Sequence, residues 1–283
     1  MLTRRECLGA VALLGATRTF AAGPAFRGPI GVQLYTVRDA LKTAPEATIQ
    51  AIAALGYQQV EATLNSDFAS LLPILQKNKL DVVSCHFDTP LITGDWSARQ
   101  QAPTSTWSAA VEQAKAAGIR YMVLPYLRAA ERGSPDRYRR LADQLNQAAP
   151  LCQKSGITLA YHNHAFEFQP VEGQRPFDIL MERMDPKVKL ELDVFWVSTA
   201  GQDPVALLKQ YPGRVALVHL KDKAAGAPVR FSEDVGHDAF KEVGSGSLDF
   251  RAILQAAKAA GVAHYFVEQD FCPGTPIEAP PTR

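Results

Sequence analysis

Carboxylate and imidazole side chains recur at the ends of apolar runs in the second half of this 283-residue sequence. Asp193, His219 and Glu268 each stand near such an end, and Glu167 follows a fourth run. Buried carboxylates repel one another, and an unpaired one is costly to remove from water. The set therefore calls for a cation, and its oxygen-rich chemistry favours Mn²⁺, Mg²⁺, Co²⁺ or Fe²⁺ over Zn²⁺.

Short apolar runs alternate with helical patterns along the chain after residue 29, and glycines stand where several helices should end. Eight such runs predict a closed (β/α)8 TIM barrel of the α/β class, which routinely uses about 250 residues as one domain. A doubly wound sheet is the alternative, but residues 33–36 read Gln-Leu-Tyr-Thr where it would need a glycine-rich phosphate loop. The runs cover residues 30–36, 58–62, 81–87, 120–125, 158–164, 189–194, 214–221 and 264–270.

The segment after Glu268 is short and interrupted by prolines, so we expect the last helix to be short or missing. The flank of the barrel where this helix would pack is then either exposed to solvent or covered by another segment. The N-terminal segment or another copy of the chain in a homo-oligomer could provide the cover.

Alternation within the predicted strands places polar side chains inside the barrel. In residues 189–194, acidic residues alternate with apolar ones that must face the helices, so both carboxylates point inward. His219 and Lys221 share one face of the seventh strand. Active sites of such barrels lie at the carboxyl ends of the strands. We expect Glu191 to be structural, paired with Lys189 or Lys221 lower in the barrel.

The N-terminus has the pattern of an export signal. Arg4 and Arg5 precede an apolar stretch at residues 8–16 and a small-residue cleavage site, and the stretch is too short to span a bilayer. The paired arginines predict a twin-arginine-type signal peptide over residues 1–21. A single barrel domain would then occupy residues 22–283, and the mature protein would be periplasmic.

The charge balance and the cysteines exclude several classes of protein. The sequence has 30 Lys and Arg against 29 Asp and Glu, a formal charge of +1, so we expect neither a nucleic-acid partner nor a membrane surface after signal cleavage. Outside the predicted signal there remain Cys85, Cys152 and Cys272, an odd number without a Cys-x-x-Cys pair. They predict free or buried thiols rather than a disulfide framework.

Four motifs resemble those of the sugar phosphate isomerase/epimerase family. They read Tyr-His-Asn-His-Ala-Phe-Glu-Phe at 161–168, Leu-Glu-Leu-Asp-Val-Phe-Trp-Val at 190–197, His-Leu-Lys-Asp at 219–222 and Val-Glu-Gln-Asp at 267–270. That family has the xylose isomerase-like TIM barrel, which family 2 AP endonucleases and inosose dehydratase share. The resemblance extends from about residue 30 to residue 279.

The resemblance implies a divalent metal held by carboxylates and one histidine. Asp193, His219 and Glu268 match the ligand pattern directly. Relatives with a Glu-Asn-His fifth strand bind the metal through that Glu, and this sequence has His162 in its place. We expect the nearby Glu167 to supply the oxygen from the following loop, and we keep His162 as the alternative first ligand.

The resemblance also implies roles around the metal. Lys221 is expected beside it as an electrophile or proton carrier, and Trp196 as a wall of the sugar pocket. The residues expected to act in catalysis are Glu167, Glu268 and Lys221. Those expected to bind substrate are His86, His162, His164, Trp196 and Glu61.

These parts suit proton removal from a carbon next to a carbonyl, with Glu268 or Glu167 as the base. The outcome would be isomerisation or epimerisation of a small carbohydrate, a sugar or keto-sugar. One alternative is a metal-dependent 3-keto-glycoside lyase or hydrolase acting by β-elimination, since phosphorylated sugars are scarce in a periplasm. A second alternative is a non-catalytic sugar-binding barrel. An AP endonuclease is disfavoured because the chain is neutral and lacks a basic DNA-facing rim.

Overall fold

The computed structural model describes residues 28–97 and 105–272, and within them eight parallel strands close into a barrel. Each barrel strand lies beside its neighbours in the chain and the last pairs with the first, so the predicted (β/α)8 architecture is confirmed. Two further strands, between the seventh and the last barrel strand, form a small antiparallel sheet. The barrel strands are β1 (Ile30–Gln33), β2 (Gln59–Thr63), β3 (Asp81–His86), β4 (Tyr121–Leu124), β5 (Thr158–His162), β6 (Lys189–Asp193), β7 (Val215–Leu220) and β10 (His264–Val267), and the hairpin strands are β8 (Asp222–Lys223) and β9 (Phe240–Lys241).

Helices lie in the connections between the barrel strands. They are α1 (Arg38–Thr43), α2 (Pro45–Ala54), α3 (Phe68–Lys77), α4 (Pro90–Thr93), α5 (Trp107–Ala116), α6 (Pro135–Lys154), α7 (Pro176–Arg183), α8 (Val194–Thr199), α9 (Pro204–Gln210) and α10 (Phe250–Ala259). Short 3-10 turns occupy Leu34–Val37, Ala129–Glu131, Phe166–Phe168 and His237–Ala239. Proline at the first turn of several helices fits a position where no backbone N–H is needed.

Two apolar clusters divide the core. The larger one fills the space between the strands and the helices, and a smaller one lies inside the barrel. This division follows from the alternation of side chains across each strand. Gly31 shows how tight the interior is, because a Cβ at this position would lie 2.5 Å from the ring of Phe266. The inner cluster consists of Val83, Val123, Ala160, Ala216, Leu217 and Phe266.

Most of the predicted apolar runs extend past the strands they contain. The first run was predicted to reach residue 36, but the chain turns into a 3-10 segment at Leu34. The reason is local, since the side chain of Gln33 accepts a hydrogen bond from the backbone of Tyr35. The predicted signal peptide at 1–21 and the predicted missing last helix lie outside the described residues. None of the described helices has the length and apolar character needed to cross a membrane.

Candidate metal centre

Three predicted ligands meet at the carboxyl ends of neighbouring strands. Asp193 ends β6 and pairs in register with His219 on β7, while Glu268 directly follows β10. His219 Nδ1 lies 2.7 Å from Glu268 Oε2 and 3.9 Å from Asp193 Oδ2. The three side chains are buried, and one ligand atom from each lies within 4.8 Å of the others. We call Asp193, His219 and Glu268 the outer group.

The local chain path aims Asp193 into the barrel. Its Oδ1 caps helix α8 by accepting a hydrogen bond from the backbone N–H of Trp196 at 2.9 Å. Its own N–H donates to Asn163 Oδ1 at 3.1 Å. Asp193 Oδ2 and His219 Nδ1 are buried without a well-aligned hydrogen bond, and both contact charged atoms, Lys221 Nζ at 3.1 Å and Glu268 Oε2 at 2.7 Å. Two carboxylates and an imidazole gathered this closely are a donor set that suits a divalent cation.

Lys221 adds a positive charge beside the outer group. Its Nζ lies 2.7 Å from Glu268 Oε2, 3.1 Å from Asp193 Oδ2 and 3.2 Å from both carboxylate oxygens of Asp270. Although burial opposes it, these carboxylates hold the pKa of Lys221 well above its usual value. Conversely, Lys221 and His219 lower the pKa of Glu268 against the effect of burial. Lys221 is therefore a cation and proton donor at neutral pH, and Glu268 is ionised.

A second set of buried ionisable side chains lies on the other side of the His219 ring. His219 Nε2 is 2.6 Å from Glu61 Oε1 and 3.2 Å from Glu191 Oε2. Glu191 Oε2 is also 3.0 Å from His86 Nε2 and 3.0 Å from His162 Nδ1. We call Glu61, His86, His162 and Glu191 the inner network. Nitrogens of His86, His162 and His219 lie within 4.8 Å of a Glu191 oxygen, close enough to hold a cation themselves.

The predicted partner of Glu191 is wrong. Lys189 instead donates to the carbonyl of Gly213, and Lys221 pairs with the carboxylates of the outer group. Glu191 is instead buried against histidines, at a point where the register between β6 and β7 shifts. Burial raises the pKa of Glu191, with the charge of Glu61 acting in the same direction.

Both carboxylate oxygens of Glu61 contact protein groups. Oε1 accepts a hydrogen bond from Gln33 Nε2 at 2.8 Å, and Oε2 accepts one from Ser84 Oγ at 2.5 Å. Against the effect of burial, His86 and His219 hold the pKa of Glu61 well below its usual value. The carboxylates in turn raise the pKa of His86 to about 10, although its burial opposes this. These contacts favour a positioning role for Glu61, and its contact with substrate stays a prediction.

Glu167 belongs to neither of the two groups of residues whose side chains lie close enough together to hold a cation. Its Oε1 accepts a hydrogen bond from the hydroxyl of Tyr161 at 2.6 Å, and its Oε2 accepts one from the backbone N–H of His164 at 2.9 Å. Burial raises its pKa to about 8. Its roles as metal ligand and base stay predictions, and these contacts do not favour them. His162 is the alternative first ligand. Its Nδ1 lies 3.0 Å from Glu191 Oε2, and its Nε2 lies 3.8 Å from Asp193 Oδ2.

Aromatic rings surround the predicted substrate-binding histidine His164. Its ring stacks on Phe166 with centroids 5.6 Å apart and lies 5.4 Å from the ring of Trp196. Burial and the charge of Lys221 hold the pKa of His164 well below its usual value, so the ring is neutral. His164 Nδ1 and Trp196 Nε1 are buried without hydrogen-bond partners. The structure thus places two unused polar atoms beside Lys221, whose Nζ is 5.9 Å from the indole centroid.

Asp270 was missed as a site residue, although it lies in one of the quoted motifs. Its spacing of two from Glu268 was the available signal, because alternate residues face the same side of an extended chain. Gln33 and Ser84, which hold Glu61, were missed as well. Short polar side chains inside an apolar run gave little indication of a buried partner.

The comparisons with known proteins agree with this architecture. The profile of the "Xylose isomerase-like TIM barrel" family matches residues 49–282. The chain belongs to this family. The resemblance stated from its motifs is thereby confirmed.

Curated relatives share part of the chain. An inosose dehydratase of Geobacillus thermodenitrificans is 32% identical over 149 residues, covering 49% of this chain and 49% of the relative. An inosose dehydratase of Geobacillus kaustophilus is 37% identical over 125 residues, covering 44% of this chain and 36% of the relative. The matched part therefore spans half or less of these relatives.

Solved structures share the fold over nearly the whole chain. A sugar phosphate isomerase/epimerase from Parabacteroides distasonis superposes with a TM-score of 0.67 at 23% identity, covering 90% of this chain and 91% of that one. The IolI protein with a bound zinc atom superposes with a TM-score of 0.66 at 16% identity, covering 87% and 90%. At these identities the likeness establishes the barrel and not the reaction.

Proposed function

We propose that this protein is a divalent-metal-dependent enzyme that removes a proton from the carbon next to the carbonyl of a keto-sugar. One observation carries the proposal. Asp193, His219 and Glu268 converge at the carboxyl ends of the strands, with one buried ligand atom from each within 4.8 Å of the others. This face is where barrels of this type carry their active sites.

The outer group would hold the cation through one oxygen from each carboxylate and Nδ1 of the imidazole. A divalent ion bound there would act as a Lewis acid toward a keto oxygen. Two carboxylates and one imidazole suit Mn²⁺, Mg²⁺, Co²⁺ or Fe²⁺. The structurally similar IolI protein binds a zinc atom, which supports a divalent ion in this barrel.

The remaining residues divide the proton chemistry. Glu268 is ionised, as a base requires, and Lys221 presents an ammonium group to the oxygen on which negative charge develops. His164, neutral and with a free Nδ1, is the second candidate for the base. Trp196 supplies an apolar face against which a sugar ring can pack.

Three outcomes follow from one proton abstraction. Returning the proton to the other face gives an epimer, and returning it to the neighbouring carbon gives an isomer. If an oxygen substituent lies β to the carbonyl, its C–O bond breaks instead and the departing oxygen takes up a proton. The relatives named inosose dehydratase favour such an elimination, whereas the Parabacteroides structure favours the isomerase or epimerase.

Solvent exchange tests the proposal. The metal-loaded protein is incubated in D₂O with free ketoses and with 3-keto-glycosides, and deuterium incorporation is followed by NMR. We expect deuterium at the carbon next to the carbonyl, with release of the second group if elimination occurs. Glu268→Gln should abolish exchange, whereas Glu46→Gln, at an exposed site in α2, should leave it unchanged. A metal-loaded protein that exchanges no substrate would instead be a sugar-binding barrel.

We also propose that the enzyme acts in the periplasm. The support is the N-terminal pattern of Arg4 and Arg5 followed by an apolar stretch. Replacing both arginines by lysine should retain the protein in the cytoplasm, as measured by cell fractionation. Unchanged export of that variant would contradict a twin-arginine route.

A further inference from the structure

A cavity of about 420 Å³ opens at the carboxyl end of the barrel, beside the outer group. Its walls come from the segment after β1, from residues 237–241 and from residues 270–272. The volume lies within the roughly 300–1,000 Å³ typical of ligand sites. None of the three outer-group side chains lines it, so the cavity provides room beyond the proposed reaction centre.

Asp270 connects the cavity to the outer group. Its carboxylate lines the cavity and lies 3.2 Å from Lys221 Nζ, which in turn is 2.7 Å from Glu268 Oε2. One side chain therefore separates the cavity from the atoms proposed to act on the carbonyl. A substrate whose carbonyl lies at the outer group can therefore extend directly into the cavity.

We propose that this cavity is a subsite for the second ring of an unphosphorylated two-ring carbohydrate, whose first ring reacts at the outer group. The inference rests on the proposed function and adds the substrate class to it. Binding at the subsite is non-covalent.

Aromatic side chains form one wall of the cavity. Phe271 is 37% exposed and is one of four large apolar side chains exposed among the described residues. Its ring stacks on that of His237, with centroids 3.8 Å apart. Phe240 also lines the cavity, and its ring centroid lies 5.6 Å from that of Phe271. An exposed aromatic face beside polar groups is suited to the C–H face of a sugar ring, because both surfaces are apolar in the centre and polar at the edge.

The charges of the lining disfavour a phosphate group. Asp39, Asp238 and Asp270 contribute carboxylates, whereas Arg38 and Lys241 contribute the permanent cations. The Arg38 guanidinium is already engaged, since Nη1 donates to the carbonyl of Tyr35 at 2.9 Å and Nη2 to that of Asp270 at 2.8 Å. These two hydrogen bonds use two of its five N–H donors and leave fewer for fork-like recognition of phosphate. A mixed set of donors and acceptors without excess positive charge fits hydroxyl groups better.

Cys272 lines the cavity and reports its occupancy. The thiol is partly exposed, whereas Cys85 and Cys152 are buried. The full-length protein is treated with iodoacetamide, and alkylation at Cys272 is quantified by peptide mass spectrometry, which separates it from the other cysteines. The probes are cellobiose, sucrose and trehalose, compared with glucose and glucose 6-phosphate.

We expect at least one of the two-ring sugars to slow alkylation of Cys272. At a concentration about ten times its dissociation constant the rate should fall about tenfold, because only the unoccupied protein reacts. Glucose and glucose 6-phosphate at the same concentration should protect less. Equal protection by glucose, stronger protection by glucose 6-phosphate, or no protection by any two-ring sugar would each overturn the subsite.

Substitutions in the aromatic wall test whether the protection of Cys272 arises from sugar bound in this cavity. Phe271→Ala and His237→Ala should weaken protection, whereas Leu55→Ala, which removes a side chain of similar exposure at the end of α2, should not. Unaltered protection in both wall variants would contradict the assignment.

A second measurement separates failure of the subsite from failure of the proposed function. Deuterium exchange is compared for 3-keto-cellobiose and 3-keto-glucose, and Phe271→Ala should lower kcat/KM for the first compound only. Exchange that is equal for both compounds and insensitive to Phe271→Ala refutes the subsite and leaves the function intact. Protection of Cys272 without exchange of any compound supports the subsite and refutes the proposed reaction.

Discussion

Replacing Glu61 by glutamine tests how the fold prepares His219 for a cation. Glu61 Oε1 lies 2.6 Å from His219 Nε2, on the side of the ring opposite to Asp193 and Glu268. A carboxylate there holds the proton on Nε2, so that Nδ1 presents its lone pair to the outer group. Ser84 and Gln33 fix the carboxylate in turn.

Loss of this support should weaken cation binding by about 10- to 100-fold, the usual effect of removing a group that orients a metal-binding histidine. That factor corresponds to about 1.4–2.8 kcal/mol of binding free energy. Competition with a fluorescent chelator measures the dissociation constants of Mn²⁺ and Zn²⁺ for Glu61→Gln and the unsubstituted protein. NMR of the His219 ring nitrogens provides an independent signal, because loss of the carboxylate should alter the tautomer.

The matched control is Glu131→Gln. The Glu131 side chain is 6% exposed and hydrogen-bonded to Arg128 and Thr93 in the segment after β4, so its loss removes a similarly enclosed carboxylate elsewhere. Circular dichroism establishes that both variants are folded. If folded Glu61→Gln binds both ions as tightly as the unsubstituted protein, or if Glu131→Gln weakens binding equally, the reasoning fails.

Three further predictions concern protonation, packing and thiol reactivity. Burial raises the pKa of Glu167 from 4.5 to about 8, so the folded protein favours the protonated carboxyl group. The folded state is therefore most stable, as far as this group is concerned, below pH 4.5, and it loses that stability as the pH rises to 8. Relative to Glu167→Gln, the unfolding free energy in urea should therefore fall by on the order of 4 kcal/mol over this range, and parallel pH curves would contradict it. Gly31→Ala should cost about 1–3 kcal/mol by overpacking the ring of Phe266, and a second substitution, Phe266→Leu, should recover part of the loss in the same assay. Burial raises the pKa of the Cys152 thiol to about 12, so at pH 8 iodoacetamide should modify Cys272 and spare Cys152 until urea unfolds the protein.

The alternation of apolar runs and helices was sufficient to predict the eight-stranded barrel. Strands covered by helices are apolar, and glycine favours the left-handed turn that ends a helix, as at Gly118, where φ is 75°. The ends of the strands could not be predicted in the same way. The Gln33 side chain turns the chain at Leu34, and a single side-chain hydrogen bond of this kind leaves no trace in the hydrophobic pattern.

The residues of the outer group could be predicted from the alternation of inward and outward side chains along each strand, and from the rule that barrel sites lie at the carboxyl ends of the strands. Glu167 shows where such reasoning stops. Its position after β5 suggested an oxygen close to the other ligands, but the 3-10 turn Phe166–Phe168 directs it to the hydroxyl of Tyr161. The direction of a side chain in an irregular turn depends on backbone angles that residue spacing does not reveal.

The sequence by itself determined the barrel and the group of acids and histidines at one of its ends, because strand period and strand order are properties of the chain pattern. Only the tertiary structure decided which of these residues meet. Glu61 and His219 are separated by 158 residues and come into contact inside the closed barrel. Glu191 contacts histidines rather than a lysine, because His86 on β3 and His162 on β5 face it inside the barrel. Stagger and closure are collective properties of all eight strands, and no local segment encodes them.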